Sequence, residues 1–227
     1  MRQLILDLLP EAPPSFDNYV GGGNAETLTG LAAWLTADNR ELSLLLWGEA
    51  GAGKTHLLRA SAAQLPSQLP YIDAAADPDL AQLGAGNENS AFIAVDHVEA
   101  LNADGQIALF NRFNRLRAAG GRLLTAASRP PLQLALREDL RTRLGSGLIY
   151  RLLALTDDEK IAALSTQAAA RGLRLPPEAL DYLLTRAPRD MRSLSAFLAA
   201  LDRYSLEHKR AITVPLLREV LQAPLGL

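Results

Sequence analysis

The sequence contains no cysteine. That absence excludes a disulfide framework, a thiolate metal site and a cysteine nucleophile together. Histidine is nearly as scarce: His56, His97 and His208 are scattered along the chain, too thin a set for a structural zinc site. No apolar run reaches the length of a membrane span. The apolar opening MRQLILDLL does not suit a secretory signal, because Asp7 interrupts it and Pro10-Glu11 follow at once. The expectation is a cytoplasmic protein with no membrane partner. A basic excess is also lacking, since the formal net charge is −2, so charge gives no reason to expect tight nucleic-acid binding. Lysine is reduced to Lys54, Lys160 and Lys209.

What is present is a chain of 227 residues, 48% apolar, enough for one ordinary domain and a small second one. After the apolar opening, EAPPSFDNYVGGGN reads as a linker rich in Pro and Gly. Apolar runs then alternate with helical stretches. Strands are expected at 42–47, 71–73, 92–96, 122–127 and 148–152, with helices at 27–37, 54–65 and 106–119. Beyond Leu155 strand signals cease. Thr156-Asp157-Asp158-Glu159 caps a first helix, and helices over 177–187, 190–207 and 215–222 follow. The fold class is therefore α/β with a parallel five-stranded sheet, followed by a small all-helical domain.

Trp47 leads into GEAGAGKTHLL, which completes the pattern G-x-x-x-x-G-K-S/T at Gly48, Gly53, Lys54 and Thr55. Glycines let successive N–H groups face phosphate oxygens, and the helix starting near Lys54 adds the positive end of its dipole. Lys54 is placed for the β- and γ-phosphates, and the Thr55 hydroxyl for Mg²⁺. Gly51, Ala52 and His56 complete the candidate nucleotide contacts of this loop. Asp96, closing an apolar strand, is the candidate for the Mg²⁺ hydration shell, with a helix-capping role as its alternative. Many P-loop ATPases of the AAA+ class place an acidic residue directly after this Asp to polarise the attacking water. Here His97 stands there, and the next carboxylate is Glu99. Neutral imidazole is the weaker partner for water, so self-contained hydrolysis is expected to be slow.

SFDNYVGGGN, GEAGAGKTHLL, AVDHVEAL, ASRPP, DLRTRLGSGLIYRL and DMRSLSAFLAALDR occur in an order that resembles the bacterial replication initiator DnaA. The closer resemblance is to the short regulatory relatives of that initiator, the Hda family, and it covers essentially the whole chain. It implies an AAA+ core over 16–155 and a helical lid over 156–227, with residues 1–15 as a separate peptide and linker. By the same resemblance, Asp17, Asn18, Tyr19 and Val20 lie against the adenine and ribose. Ser128 falls at the first sensor position, where the family often has a longer polar residue. Arg143 matches the arginine finger that reaches a neighbouring subunit's nucleotide, and Arg192 the second sensor on the lid. From spacing alone, Arg143 equally suits a solvated basic face with Arg137, Arg141 and Arg151. Arg192 opens a helix, where a cation opposes the dipole unless an anion is near. DnaA carries a helix-turn-helix domain beyond its lid, whereas this sequence ends at Leu227, so direct sequence-specific DNA binding is not expected.

The opening peptide Gln3-Leu4-Ile5-Leu6-Asp7-Leu8 has the form Q-L-x-L-x-L, which resembles the sliding-clamp-binding motif of the same family. Apolar side chains of Leu4, Leu6 and Leu8 suit pockets, and the Gln3 amide suits a polar socket; an edge strand is the alternative. The resemblance thus implies a regulator of replication initiation. It would carry ADP or ATP with Mg²⁺ and dock on the β-subunit clamp of DNA polymerase III. There it would stimulate hydrolysis of DnaA-bound ATP, meeting DNA only through the clamp, with a homo-oligomer left open. Two rivals remain at this level: an autonomous AAA+ ATPase such as a helicase loader, and a binding adaptor in which nucleotide is structural.

Overall fold

The computed structural model describes residues 13–36, 38–65, 71–84, 90–173, 175–186 and 190–208, together with Pro215 and Leu217. The clamp-motif residues Gln3, Leu4, Leu6 and Leu8 lie outside the described residues. Two compact units are present, Pro13–Ala154 and the helices from Leu155 onward.

The first unit is built on five parallel strands: β1 (Ser43–Trp47), β2 (Tyr71–Asp73), β3 (Phe92–Asp96), β4 (Arg122–Ala127) and β5 (Leu148–Arg151). Their order across the sheet is β2-β3-β4-β1-β5, and every pairing is parallel. Both faces are covered, which is why the central strands read as continuous apolar runs rather than alternating ones. Successive side chains leave opposite faces of the sheet. Leu45, Ile93, Val95, Leu123 and Ala127 therefore face one core with α3 (Ala103–Ala119) and α4 (Glu138–Leu144). Leu44, Leu46, Phe92, Ala94, Leu124 and Ala126 face the other, with α1 (Ala25–Leu35) and α2 (Lys54–Gln64).

The helices differ from the sequence expectation at their starts. α1 begins at Ala25 rather than Thr27. α3 begins at Ala103 rather than Gln106, because the Asn102 side chain accepts the Gly105 N–H at 2.9 Å and caps the helix. Gly105 fits there because its turn presses on the chain: a Cβ would stand 2.0 Å from the Pro78 carbonyl oxygen. α4 is absent from the sequence reading. It is seven residues long and mostly charged outside its buried Leu140 and Leu144, too short for its period to stand out.

Two devices lock the sheet. Arg122, at the start of β4, donates to the carbonyls of Trp34 (2.8 Å), Thr36 (2.6 Å) and Asn39 (3.2 Å), and its guanidinium lies 5.8 Å from the Trp34 ring. It thereby satisfies carbonyls orphaned at the end of α1, where a cation also suits the dipole. The β1–β5 pair is framed by glycines that leave no space for a side chain. A Cβ on Gly147 would sit 2.2 Å from the Ser43 carbonyl oxygen, and one on Gly48 would sit 2.3 Å from that of Leu152.

The second unit holds α5 (Asp157–Ala170), α6 (Pro177–Arg186) and α7 (Met191–His208). α5 opens with a reciprocal capping box: Thr156 Oγ1 accepts the Glu159 N–H at 3.2 Å, and Glu159 Oε2 accepts the Thr156 N–H at 2.8 Å. Leu164, Ala168, Leu180, Leu184, Leu194 and Leu198 form one buried cluster, and Ala179, Leu183, Phe197, Leu201 and Leu217 another. Of the expected fourth helix over 215–222, Pro215 and Leu217 are helical and the rest lies outside the described residues. Among the described residues no helix is long and apolar enough to cross a membrane.

Gly147→Ala must displace backbone and is expected to cost about 1–3 kcal/mol. Arg122→Ala, which strands two helix-end carbonyls and that of Asn39 in the following loop, is expected to cost about 1–3 kcal/mol. Urea unfolding with an unchanged denaturant slope checks both.

Candidate functional site

The parallel arrangement places the carboxyl ends of all five strands along one edge of the sheet, and the candidate residues gather there. The phosphate-loop sequence leaves β1 after Trp47 and enters α2 at Lys54. Gly51 and Gly53 adopt φ of +79° and +90°, the left-handed region that side chains resist. Gly53 is the helix N-cap and gives no side-chain cap, and the first turn carries no acidic residue. The first N–H groups of α2 therefore face the loop with no side chain competing for an anion. Lys54 Nζ is held above the loop by the carbonyl oxygens of Gly48 (2.7 Å) and Glu49 (2.8 Å). Burial lowers its pKa, while the charges of Asp96 and Glu99 work in the opposite sense.

Thr55 and Asp96 come together from α2 and the end of β3. The Thr55 hydroxyl donates to Asp96 Oδ2 at 2.5 Å. Asp96 is fully buried, and two further donors complete it: Tyr71 OH to Oδ2 at 3.1 Å, and the His97 N–H to Oδ1 at 2.9 Å. Among the described residues no group of three or more His, Asp or Glu is arranged to hold a metal unaided. The donor set instead fits a Mg²⁺ carried mainly by phosphate oxygens, with the Thr55 oxygen as one ligand and Asp96 acting through water.

The sequence places Tyr71 and Asp73 on a strand but not in the site, because both reach it through the register of β2 on β3, which pairs Asp73 with Asp96. The Arg59 guanidinium stacks 4.6 Å from the Tyr71 ring. Burial, then the Asp96 charge, push the Tyr71 hydroxyl up to about 12. His97 Nδ1 lies 2.9 Å from Asp73 Oδ1. Burial opposes charge on His97, but the bond to Asp73 and the Asp96 charge outweigh it and raise the imidazole's pKa. Burial likewise opposes the Asp73 carboxylate, and the bonds from His97 and the Ala75 N–H outweigh it, so that pKa falls. Glu99 Oε1 accepts the Ser128 N–H at 3.0 Å, tying the turn after β3 to the loop after β4.

Of the four residues Asp17 to Val20, Tyr19 reaches the loop. Its hydroxyl donates to the Ala52 carbonyl at 3.0 Å, and its ring lies 5.4 Å from that of His56. Burial pushes the hydroxyl up to about 12. His56 in turn bonds the Ser15 carbonyl through Nε2 at 2.8 Å. Asn18 is engaged within its own segment, accepting from Ser15 N at 2.9 Å and donating to the Pro13 carbonyl at 3.0 Å. Asp17 is exposed and Val20 half-buried. Asn24, also missed from sequence, pairs with both backbone groups of Leu153: its Nδ2 donates at 2.9 Å and its Oδ1 accepts at 2.7 Å. The segment before α1 is thus fixed to the exit of β5.

Arg143 stands elsewhere. Near the end of α4, it lines a hollow of about 240 Å³ with Arg40, Ser43, Phe113 and Gly147, beside the amino end of β1. The phosphate loop follows the carboxyl end of the same strand. Arg143 stacks 5.9 Å from the Phe113 ring and also borders an open groove with Phe110, Arg137 and Thr142. Arg192 is exposed in the first turn of α7, in the second unit, where Asp190 Oδ1 caps the helix by accepting the Ser193 N–H at 2.8 Å.

Comparison with known proteins agrees with this architecture. A family model described as "Hda, lid domain" matches residues 157–221. The fold is similar to domain III of the Thermotoga maritima replication initiation protein DnaA. That match has a TM-score of 0.74 and 22% identity, and covers 94% of this chain and 98% of that one. AMPPCP-bound DnaA from Aquifex aeolicus is similar at a TM-score of 0.66 and 22% identity, over 89% of this chain and 71% of that one. The Thermotoga maritima RuvB Holliday junction branch migration motor reaches 0.65 at 20% identity, over 92% and 72%. The helices over 157–221 are thus an Hda lid domain, and the chain as a whole has the fold of DnaA domain III.

Proposed function

We propose that this protein binds ADP or ATP at the loop Gly48–Thr55 and uses Arg143 to stimulate hydrolysis of ATP held by DnaA, so limiting re-initiation of chromosomal replication. The observation that carries this reading is the placement of Arg143 at the amino end of β1, the end opposite the chain's own phosphate loop. An arginine there serves a nucleotide on another molecule better than its own. The Hda lid supports DnaA as that molecule. A guanidinium brought to the γ-phosphate stabilises the charge that spreads over its oxygens in the transition state. Docking of Gln3, Leu4, Leu6 and Leu8 on the DNA-loaded clamp would concentrate the protein where synthesis is under way, with DNA contacted only through the clamp. The protein would then work in the cytoplasm.

Within the chain's own site each residue has a stated task. Lys54 and the N–H groups opening α2 would hold phosphate oxygens. Tyr19 closes over the loop, and Arg192 would add a phosphate contact from the lid. Thr55 and Asp96 would position a Mg²⁺, which when bound neutralises charge between the β- and γ-phosphates. Ser128, fixed through its backbone by Glu99, presents a short side chain at the sensor position.

Labelled ATP–DnaA is to be incubated with clamp-loaded DNA and this protein. Hydrolysis is expected to accelerate, and Arg143→Ala to remove at least about tenfold of the stimulation, given the far larger factors that arginine fingers supply elsewhere. Deleting residues 1–9 is expected to abolish clamp dependence. Unchanged stimulation by Arg143→Ala would sink the finger assignment. In a separate measurement, Lys54→Ala is expected to weaken nucleotide binding at least about tenfold, as loss of a charged hydrogen bond of about 1.5–3 kcal/mol implies, while leaving the melting temperature of the nucleotide-free chain near that of the parent.

A further inference from the structure

Arg143 shares the hollow beside the amino end of β1 with two other cations. Arg40 borders it from the loop before β1, and Arg117 from the last turn of α3. Among the described residues none of the three is held in an ion pair, and Glu41 is the only acid lining the hollow. Other arginines nearby in sequence are engaged elsewhere: Arg137 pairs with Asp139 at 2.8 Å, and Arg151 lies 5.1 Å from the Trp47 ring. The wall is built as well as charged. Phe113 is buried and supports the Arg143 guanidinium. Ser43 is only 2% exposed yet borders the hollow, and among the described residues its hydroxyl meets no hydrogen-bond partner. Gly147 keeps that hydroxyl open, since a Cβ there would stand 2.3 Å from Ser43 Oγ.

Three guanidiniums gathered round one carboxylate repel one another, and an anion among them turns that repulsion into attraction. Phosphate suits them best, because the planar fork of arginine meets two phosphate oxygens at once. Size narrows the ligand further. The hollow measures about 240 Å³, below the roughly 300–1,000 Å³ of pockets that engulf a drug-sized ligand. It admits a chain of phosphates and leaves a nucleoside outside. We propose that Arg40, Arg117 and Arg143, with the Ser43 hydroxyl donating from the floor, bind a polyphosphate chain at a site separate from the loop Gly48–Thr55. Two sources offer that chemistry: a free polyphosphate, and the phosphate tail of a nucleotide held by another protein. The second source rests on the reading of Arg143 given above, and the first does not. On the second, Arg40 and Arg117 grip the tail while Arg143 meets the reacting phosphate.

Calorimetric titration with inorganic tripolyphosphate tests the site in the full chain carrying Lys54→Ala, whose own loop is weakened. Binding is expected to persist there. Adding R40A and R117A is expected to weaken it about a hundredfold, roughly tenfold for each arginine, and adding S43A severalfold. Both arginines are exposed, so the melting temperature is expected to stay near that of the Lys54→Ala chain. No binding by the Lys54→Ala chain, or equal binding after R40A and R117A, overturns the proposal. Equal affinity for tripolyphosphate and sulfate marks an unselective basic face and overturns it too. Stimulated hydrolysis of DnaA-bound ATP then separates the sources. A fall of at least about tenfold with R40A and R117A assigns the site to the partner's nucleotide. Unchanged stimulation beside lost tripolyphosphate binding assigns it to a free polyphosphate. Unchanged stimulation by R143A sinks the finger reading alone, because binding by the Lys54→Ala chain is measured without any partner.

Discussion

A carboxylate with no exposure to water organises this unit. Burying Asp96 costs several kcal/mol unless its oxygens are fully met, and three donors from three elements meet them: Thr55 from α2, Tyr71 from β2 and the backbone of His97 after β3. Satisfying that one group therefore fixes α2 against the sheet, sets the edge strand β2 in register and determines the course of the chain after β3. The phosphate loop inherits its position from the same bonds, since Thr55 is the second residue of the helix that the loop enters. Site and fold are held by one network, which leaves few ways to alter the chemistry without disturbing the packing.

Much of this was legible in the residues. Strands covered on both faces announce themselves as unbroken apolar runs, so β1, β3 and β4 were plain, and the loop pattern gave Lys54, Thr55 and Asp96 their places. Contacts made by register were invisible: nothing local to Tyr71 or Asp73 says that β2 pairs with β3. The attachment of Asn24 to Leu153 joins residues at opposite ends of the first unit, and no periodicity reports such a bond. α4 escaped because seven residues carry too little amphipathic signal. Arg143 could be singled out only through resemblance, since its neighbours in sequence are equally basic; its situation at the far end of β1 emerged only from the folded chain.

The two arginines at the ends of the sheet's connections show how one chemistry takes different roles by position. Arg122 spends its donors on two carbonyls at the end of α1 and one in the loop after it, and lies over Trp34, so it belongs to the architecture. Arg143 faces an aromatic ring beside an open groove, a situation in which a planar cation is supported along its stem while its fork can meet an outside partner.

The strand order also carries a consequence in time. β1, which feeds the phosphate loop, is flanked in the sheet by β4 and β5, the last two strands of the first unit to be made. During synthesis the loop and its helix emerge early, yet the strand beneath them has no neighbour until the chain has run past Ala127, and its second only past Arg151. Such distant pairings slow folding and leave apolar strand surface open meanwhile. A ribosome that pauses before β4 would therefore expose an unpaired, leucine-rich β1, making the stretch between β1 and β4 the period in which this protein most needs a chaperone.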